Sequence, residues 1–144
     1  MDLDGIFRGM TVSSSGLAAE AARLDVIAKN IANANVVATP DGDPYRRQDV
    51  IFETLLEGYG TTEGVPGEVR VMDTLVDDRT PLREVYDRTH PFADPETGIV
   101  KYSNVNMAFE MVDLLTATRA YEANLKAMGA YRDMMRQSLR LLEG

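Results

Sequence analysis

MAFEMVDLLTATRAYEANLKAMGAYRDMMRQSLRLL, residues 107–142, contains no proline, and a bulky side chain returns at every seventh position. Met107, Leu114, Tyr121, Met128, Met135 and Leu142 make that line over five heptads, with Met111, Thr118, Leu125, Arg132 and Leu139 as companions. Alternating steps of four and three are the spacing of a helix that packs along another helix. Asn106 is placed to cap the N-terminus, and Glu110 lies near the end that favours anions. Lys126, Arg132, Arg136 and Arg140 gather toward the other end, where cations suit the dipole. A helix over 106–142 is roughly 55 Å long, against about 30 Å for a small domain. It must project, or lie along something equally long.

The N-terminal segment carries a matching pattern. Met10, Leu17, Leu24 and Ile31 are seven apart, and Ser14, Ala21 and Ala28 fall between them. Ser13, Ser14, Ser15 and Gly16 weaken the first turns, so good helix is predicted from about 17 to 34. The second helix is then about twice as long as the good part of the first. NIANANV at 30–36 ends this segment with three asparagines, which are poor helix formers. Asn30 and Asn33 share a face and flank Ile31, in position to hydrogen-bond to a neighbouring helix. Asn35 suits a left-handed C-cap.

All six prolines lie between Pro40 and Pro95. The chain therefore reads as an N-terminal helical segment (1–39), a Pro/Gly-rich insert with strands (40–103) and a long C-terminal helix (104–144). Within the insert, 47–52, 68–76, 83–87 and 99–102 have strand character. PDGDP at 40–44, GYG at 58–60 and GVPG at 64–67 supply turns. The fold class is mainly α, with long terminal helices in coiled-coil-like packing around a small β-containing middle.

Charge follows the same division. The net charge is −8; residues 36–100 hold fourteen acidic and six basic residues, while both ends are nearly neutral. The acidic balance disfavours nucleic acid as a partner, and the near-neutral ends pack against other chains without strong repulsion. There is no cysteine, hence no disulfide and no thiolate chemistry. No apolar run is long enough to cross a membrane, so no direct membrane insertion is expected. MDLDG at the start is acidic where a secretory signal is basic. A cytoplasmic chain, or export without a cleaved signal, is expected.

Candidate chemistry is sparse. His90 is the sole histidine and has no cysteine or second histidine to work with. Asp41, Gly42 and Asp43 lack the full calcium-loop spacing, and Gly58, Gly60 and Gly64 lack that of a phosphate loop. Asp73, Asp77, Asp78 and Glu84 alternate with Arg79, Arg83 and Arg88, as on a solvated mixed-charge face. No catalytic residue, cofactor site or metal site is expected, and the chain reads as no enzyme. Two readings of the heptads stay open: one self-contained antiparallel bundle, or assembly with other chains. A soluble coiled-coil interaction protein or secretion adaptor, forming a discrete oligomer, is the competing form of the second.

SGLAAEAARLDVIAKNIANANV at 15–36 and TRAYEANL at 118–125 resemble the terminal signatures of the bacterial flagellar rod, hook and hook-associated axial proteins. PDGDPYRRQDVIF at 40–52 and HPFADPETGIVKYSNVNMAFEMVDLL at 90–115 are similar to the proximal rod members. The resemblance is colinear over essentially the whole chain. One departure is Ser103, before Asn104-Val105, where the family commonly has proline; a looser loop is expected there. The resemblance implies a structural subunit of the basal-body proximal rod in the periplasm, exported by the flagellar type III apparatus without signal cleavage. It also implies helical assembly with copies of itself, other proximal rod proteins, the rod-base adaptor and the distal rod, transmitting torque. The subunit-interface residues expected are Leu17, Leu24, Ile27, Asn30, Ile31 and Asn33 on the first helix. On the second they are Leu114, Tyr121, Asn124, Leu125, Met128 and Met135.

Overall fold

The computed structural model describes residues 3–39, 42–55 and 65–143. Two helices dominate it. Helix α1 spans Leu3–Ala32 and helix α2 spans Met107–Glu143. They run antiparallel and pack side by side, as shown by contacts of Gly9 with Tyr131, Gly16 with Asn124 and Asn30 with Glu110.

Helix α1 begins earlier than its serines and glycine suggest. Ser13 is buried, and Ser15 donates its hydroxyl to Val12 O at 2.8 Å while accepting Val69 N–H at 3.0 Å. Tertiary contacts thus outweigh the weak local propensity of SSSG. The helices are 30 and 37 residues long, about 45 and 55 Å, so length gives little reason to seek an outside partner. Asn106 caps α2 as expected: its side-chain oxygen accepts Ala108 N–H at 3.0 Å.

Between the helices lie two antiparallel hairpins. Strands β1 (Gln48–Thr54) and β2 (Val69–Val76) pair from Gln48 opposite Val76 to Thr54 opposite Val69. The register shifts between Ile51 and Phe52, which leaves Met72 as the extra residue of a bulge. This hairpin lies along α1, held at one end by Asn30 on Gln48 and at the other by Ser15 on Val69. The GYG turn and Gly64 lie outside the described residues. Strands β3 (Arg83–Tyr86) and β4 (Ile99–Tyr102) form the second hairpin. The chain leaving α1 extends its sheet: Val37 bridges Tyr102, and Ala38 N–H donates to Lys101 O at 2.8 Å. Val100 is fully buried there. The 87–98 connection closes on Gly98, whose φ of 69° suits glycine.

The asparagine-rich end of α1 works differently from the expected left-handed cap. No described residue other than glycine has positive φ, so Asn35 is not a left-handed cap; it accepts a bond from Arg83 at 3.3 Å. Asn33 turns its amide back onto Lys29 O at 2.8 Å. Ser103 also differs from expectation. It is buried, its N–H donates to Val36 O at 3.0 Å, and its hydroxyl accepts Val105 N–H at 3.2 Å. A proline here has no N–H to give, so Ser103 ties the junction rather than loosening it.

Candidate assembly interface

Inside the helix pair, α1 turns one line of positions toward α2: Ile6, Gly9, Ser13, Gly16, Glu20, Arg23, Ile27 and Asn30, in steps of three and four. Each is buried or half-buried. The opposing line on α2 is Glu110, Leu114, Ala117, Tyr121, Asn124, Met128, Tyr131, Met135 and Ser138, equally covered. Gly9 receives Tyr131 and Gly16 receives Asn124, one heptad apart on each helix. A Cβ on Gly9 would collide with the Tyr131 ring, and one on Gly16 would sit 2.9 Å from Asn124 Nδ2. Small positions on α1 thus admit large ones on α2.

Within the chain the packed line differs in phase from the heptads. On α2 the line through Leu114, Tyr121, Met128 and Met135 does face inward, but its companions are Glu110, Ala117, Asn124, Tyr131 and Ser138. Met111, Thr118, Leu125, Arg132 and Leu139 are exposed. On α1, Met10, Leu17, Leu24 and Ile31 lie half-buried at the margin of the pair, while Ser14, Ala21 and Ala28 are exposed. The bulkiest apolar residues do not mark the inner line of α1, whose positions include two glycines and four polar residues. The paired spacing of Gly9–Gly16 with Asn124–Tyr131 is the signal that would have found it.

Of the expected interface residues, Ile27 and Asn30 are buried within the chain. Leu17, Leu24, Ile31, Asn33, Leu114, Tyr121, Asn124, Met128 and Met135 are half-buried, and Leu125 is exposed. Asn30 joins α1 to α2, to β1 and to the connection before β1. Its Nδ2 donates to Gln48 O at 2.8 Å and to Glu110 Oε2 at 3.0 Å. Its Oδ1 accepts Tyr45 O–H at 2.8 Å and Gln48 N–H at 2.9 Å. That uses every donor and acceptor site of the amide.

Glu110, also fully buried, receives Arg47 Nε at 2.7 Å on its other oxygen. Arg47 reaches on to Asp49 at 3.3 Å and Asp113 at 3.4 Å, and Arg23 approaches Asp113 at 3.9 Å. Burial works against the Arg47 cation, but the hydrogen bond and charge of Glu110, reinforced by Asp49, hold its pKa above the ordinary arginine value. Burial, with the Glu110 charge, raises that of Tyr45. Asn104 adds a second staple: its oxygen accepts Arg47 N–H at 2.7 Å, and its nitrogen donates to Asp77 O at 3.0 Å and Thr80 O at 3.3 Å.

The remaining polar candidates have local structural roles. His90 Nδ1 accepts Phe92 N–H at 3.2 Å in the 87–98 connection, and its ring lies 6.4 Å from that of Tyr102. Asp77 accepts the Thr80 hydroxyl at 2.6 Å, which, with Thr80 N–H, holds its carboxyl below the ordinary 3.8. Asp41 lies outside the described residues. Apolar side chains at the surface are more telling. Phe109 is 68% exposed and Val112 63%, with Met111 and Leu115 also open on the first turns of α2. Met72, Leu75 and Val76 are open on β2.

The family described as "Flagella basal body rod protein" matches residues 10–38, and that described as "Flagellar basal body rod FlgEFG protein C-terminal" matches residues 96–141. The two matches fall on α1 with its exit and on β4 with α2. Full-length relatives are similar as well. The flagellar basal-body rod protein FlgC of Borreliella burgdorferi is 39% identical, with 97% of this chain and 99% of the relative covered. FlgC of Salmonella typhimurium is 36% identical over 90% of this chain and 92% of its own. FlgC of Bacillus subtilis is 34% identical over 94% and 97%. With similarity running through helices and hairpins alike, the chain belongs to the FlgC family of flagellar basal-body rod proteins.

Proposed function

We propose that this chain is a structural subunit of the flagellar basal-body rod, placed in its proximal part. There it assembles with copies of itself, other proximal rod proteins, the rod-base adaptor and the distal rod, and carries torque across the periplasm. Export through the flagellar type III apparatus without a cleaved signal accompanies this reading. Membership of a family of structural rod proteins supports it over an enzymatic role.

The observation that carries the proposal is the open flank of α1. At about 100° per residue, Ser14, Ala21 and Ala28 point to the side away from Val12 and Ser15, where the first hairpin is seated. They are exposed, and beside them Met10, Leu17, Leu24 and Ile31 are only half covered. Small exposed side chains beside bulky half-buried ones form a seat for a neighbour's helix. Burying one leucine or isoleucine there supplies about 1.5–3 kcal/mol, and the contact repeats along a polymer.

Ala21→Glu and Ala28→Glu test it without touching the chain's own core. Both variants are expected to unfold at the wild-type urea midpoint, yet to leave cells lacking the native copy without rods and non-motile. Intact rods and normal swimming with both variants would remove the open flank as an interface.

A further inference from the structure

We infer that Glu20 is a weak point built into the helix pair, placed so that α2 parts from α1 beyond it while the Asn30–Glu110 end stays joined. Glu20 stands on the inner line of α1 between Gly16, which meets Asn124, and Arg23, which meets Asp113. Its carboxylate therefore lies between the helices. Its Oε2 is sealed from solvent and has no hydrogen-bond partner, the single such side-chain atom among the described residues. The facing stretch of α2 centres on Ala117, which is fully buried and has no polar side-chain group. Arg119 and Lys126 are exposed, and Arg23 turns to Asp113 at 3.9 Å. A carboxylate oxygen taken out of water with no bond in return is costly.

The cost falls at a boundary. On one side of Glu20 the insert and α1 are pinned to α2 by Asn30 on Glu110 at 3.0 Å, Arg47 on Glu110 at 2.7 Å and Arg47 on Asp113 at 3.4 Å. On the other side Asn124 packs on Gly16 and Tyr131 on Gly9, side chains against bare backbone. Glutamate and leucine are about equally good helix formers, so the helix itself has no need of a carboxylate here. Leucine on the inner line would close the seam. This rests on the rod reading above, in which the chain is handed through an export apparatus. A pair that opens locally from its far half passes where one closed throughout is held back.

Glu20→Gln removes the charge, and Glu20→Leu removes the polar group as well. In urea the purified Glu20→Leu chain is expected to unfold about 1 M later than wild type, with Glu20→Gln between the two. Amide hydrogen exchange is expected to slow by about tenfold or more over residues 117–138 and to change little over 107–113. A midpoint at or below that of wild type, or slowing spread evenly along α2, would overturn the weak point. In cells lacking the native copy, Glu20→Leu is expected to reach basal bodies at several-fold lower yield and to be retained inside the cell. Adding Gly9→Ala, which pushes Tyr131 away from α1, is expected to restore the yield. Full yield with Glu20→Leu alone, or no recovery with Gly9→Ala, overturns a role for the weak point in export. Absence of the wild-type chain from purified basal bodies is a separate result: it defeats the rod reading and leaves the urea and exchange outcomes standing.

Discussion

Replacing Asn30 with alanine removes the one side chain that bonds to α2, to β1 and to Tyr45 at once. Three of its four hydrogen bonds are to neutral groups and one is to the Glu110 carboxylate. Neutral bonds are worth about 1 kcal/mol each net, and one to a charge about 1.5–3 kcal/mol. The sum overstates the loss, because Gln48 and Tyr45 are half-buried and regain water, whereas Glu110 Oε2 is sealed and does not. A cost of about 3–4 kcal/mol follows, a large part of the 5–15 kcal/mol that stabilises most domains. In urea, with a slope of roughly 1–3 kcal/mol/M, the midpoint falls by about 1–4 M. Asn30→Asp is the discriminating control. It keeps the shape but sets a second carboxylate against Glu110, so at neutral pH it is expected to be no more stable than the alanine variant. Equilibrium unfolding of the purified chain, followed by circular dichroism, reads both. An alanine variant within 1 kcal/mol of wild type, or an aspartate variant as stable as wild type, would show that the amide network does not hold the hairpin to the helices.

Arg47→Met leaves Glu110 buried without its ion pair and is expected to cost about 3–5 kcal/mol, much of it recovered in the Arg47→Met/Glu110→Gln double variant; a double-mutant cycle in urea checks the recovery. Gly9→Ala gains helix propensity but drives a methyl into the Tyr131 ring, for a net loss of about 1–2 kcal/mol. The loss should vanish with Tyr131→Ala in the same chain, and additive losses would refute the contact. Asp77 and Asp87 are held below the ordinary 3.8 chiefly by the hydroxyls of Thr80 and Thr89, and Asp94 by the N–H groups of Glu96 and Thr97. A depressed carboxylate stabilises the fold above its unfolded value and loses that contribution as pH falls below 3.8 through the folded value. Thr80→Val and Thr89→Val should therefore flatten the acid limb of stability against pH, and an unchanged limb in thermal melts would count against these turns.

Much was legible from local pattern alone. The proline boundaries, the heptads and the Asn106 cap gave two long helices around a β-containing insert, and the four strands lie where alternation and turn residues put them. Signature stretches at both ends resembled the flagellar axial proteins, and those at 40–52 and 90–115 the proximal rod members, before any contact was known. These features are written in neighbouring residues, through spacing and backbone preference. Tertiary structure decided which side of each helix is inside. Gly9 and Gly16 look like helix weaknesses until Tyr131 and Asn124 fill the space they leave. Asn30 looks like fraying until Gln48, Tyr45 and Glu110 satisfy its amide from eighteen, fifteen and eighty residues away. Ser103 looks like a loosened loop until Val36 takes its N–H. In each case the local sequence shows the cost of the residue, a lost Cβ or a buried polar group. The compensating partner is distant in the chain and becomes visible only once the helices are laid side by side.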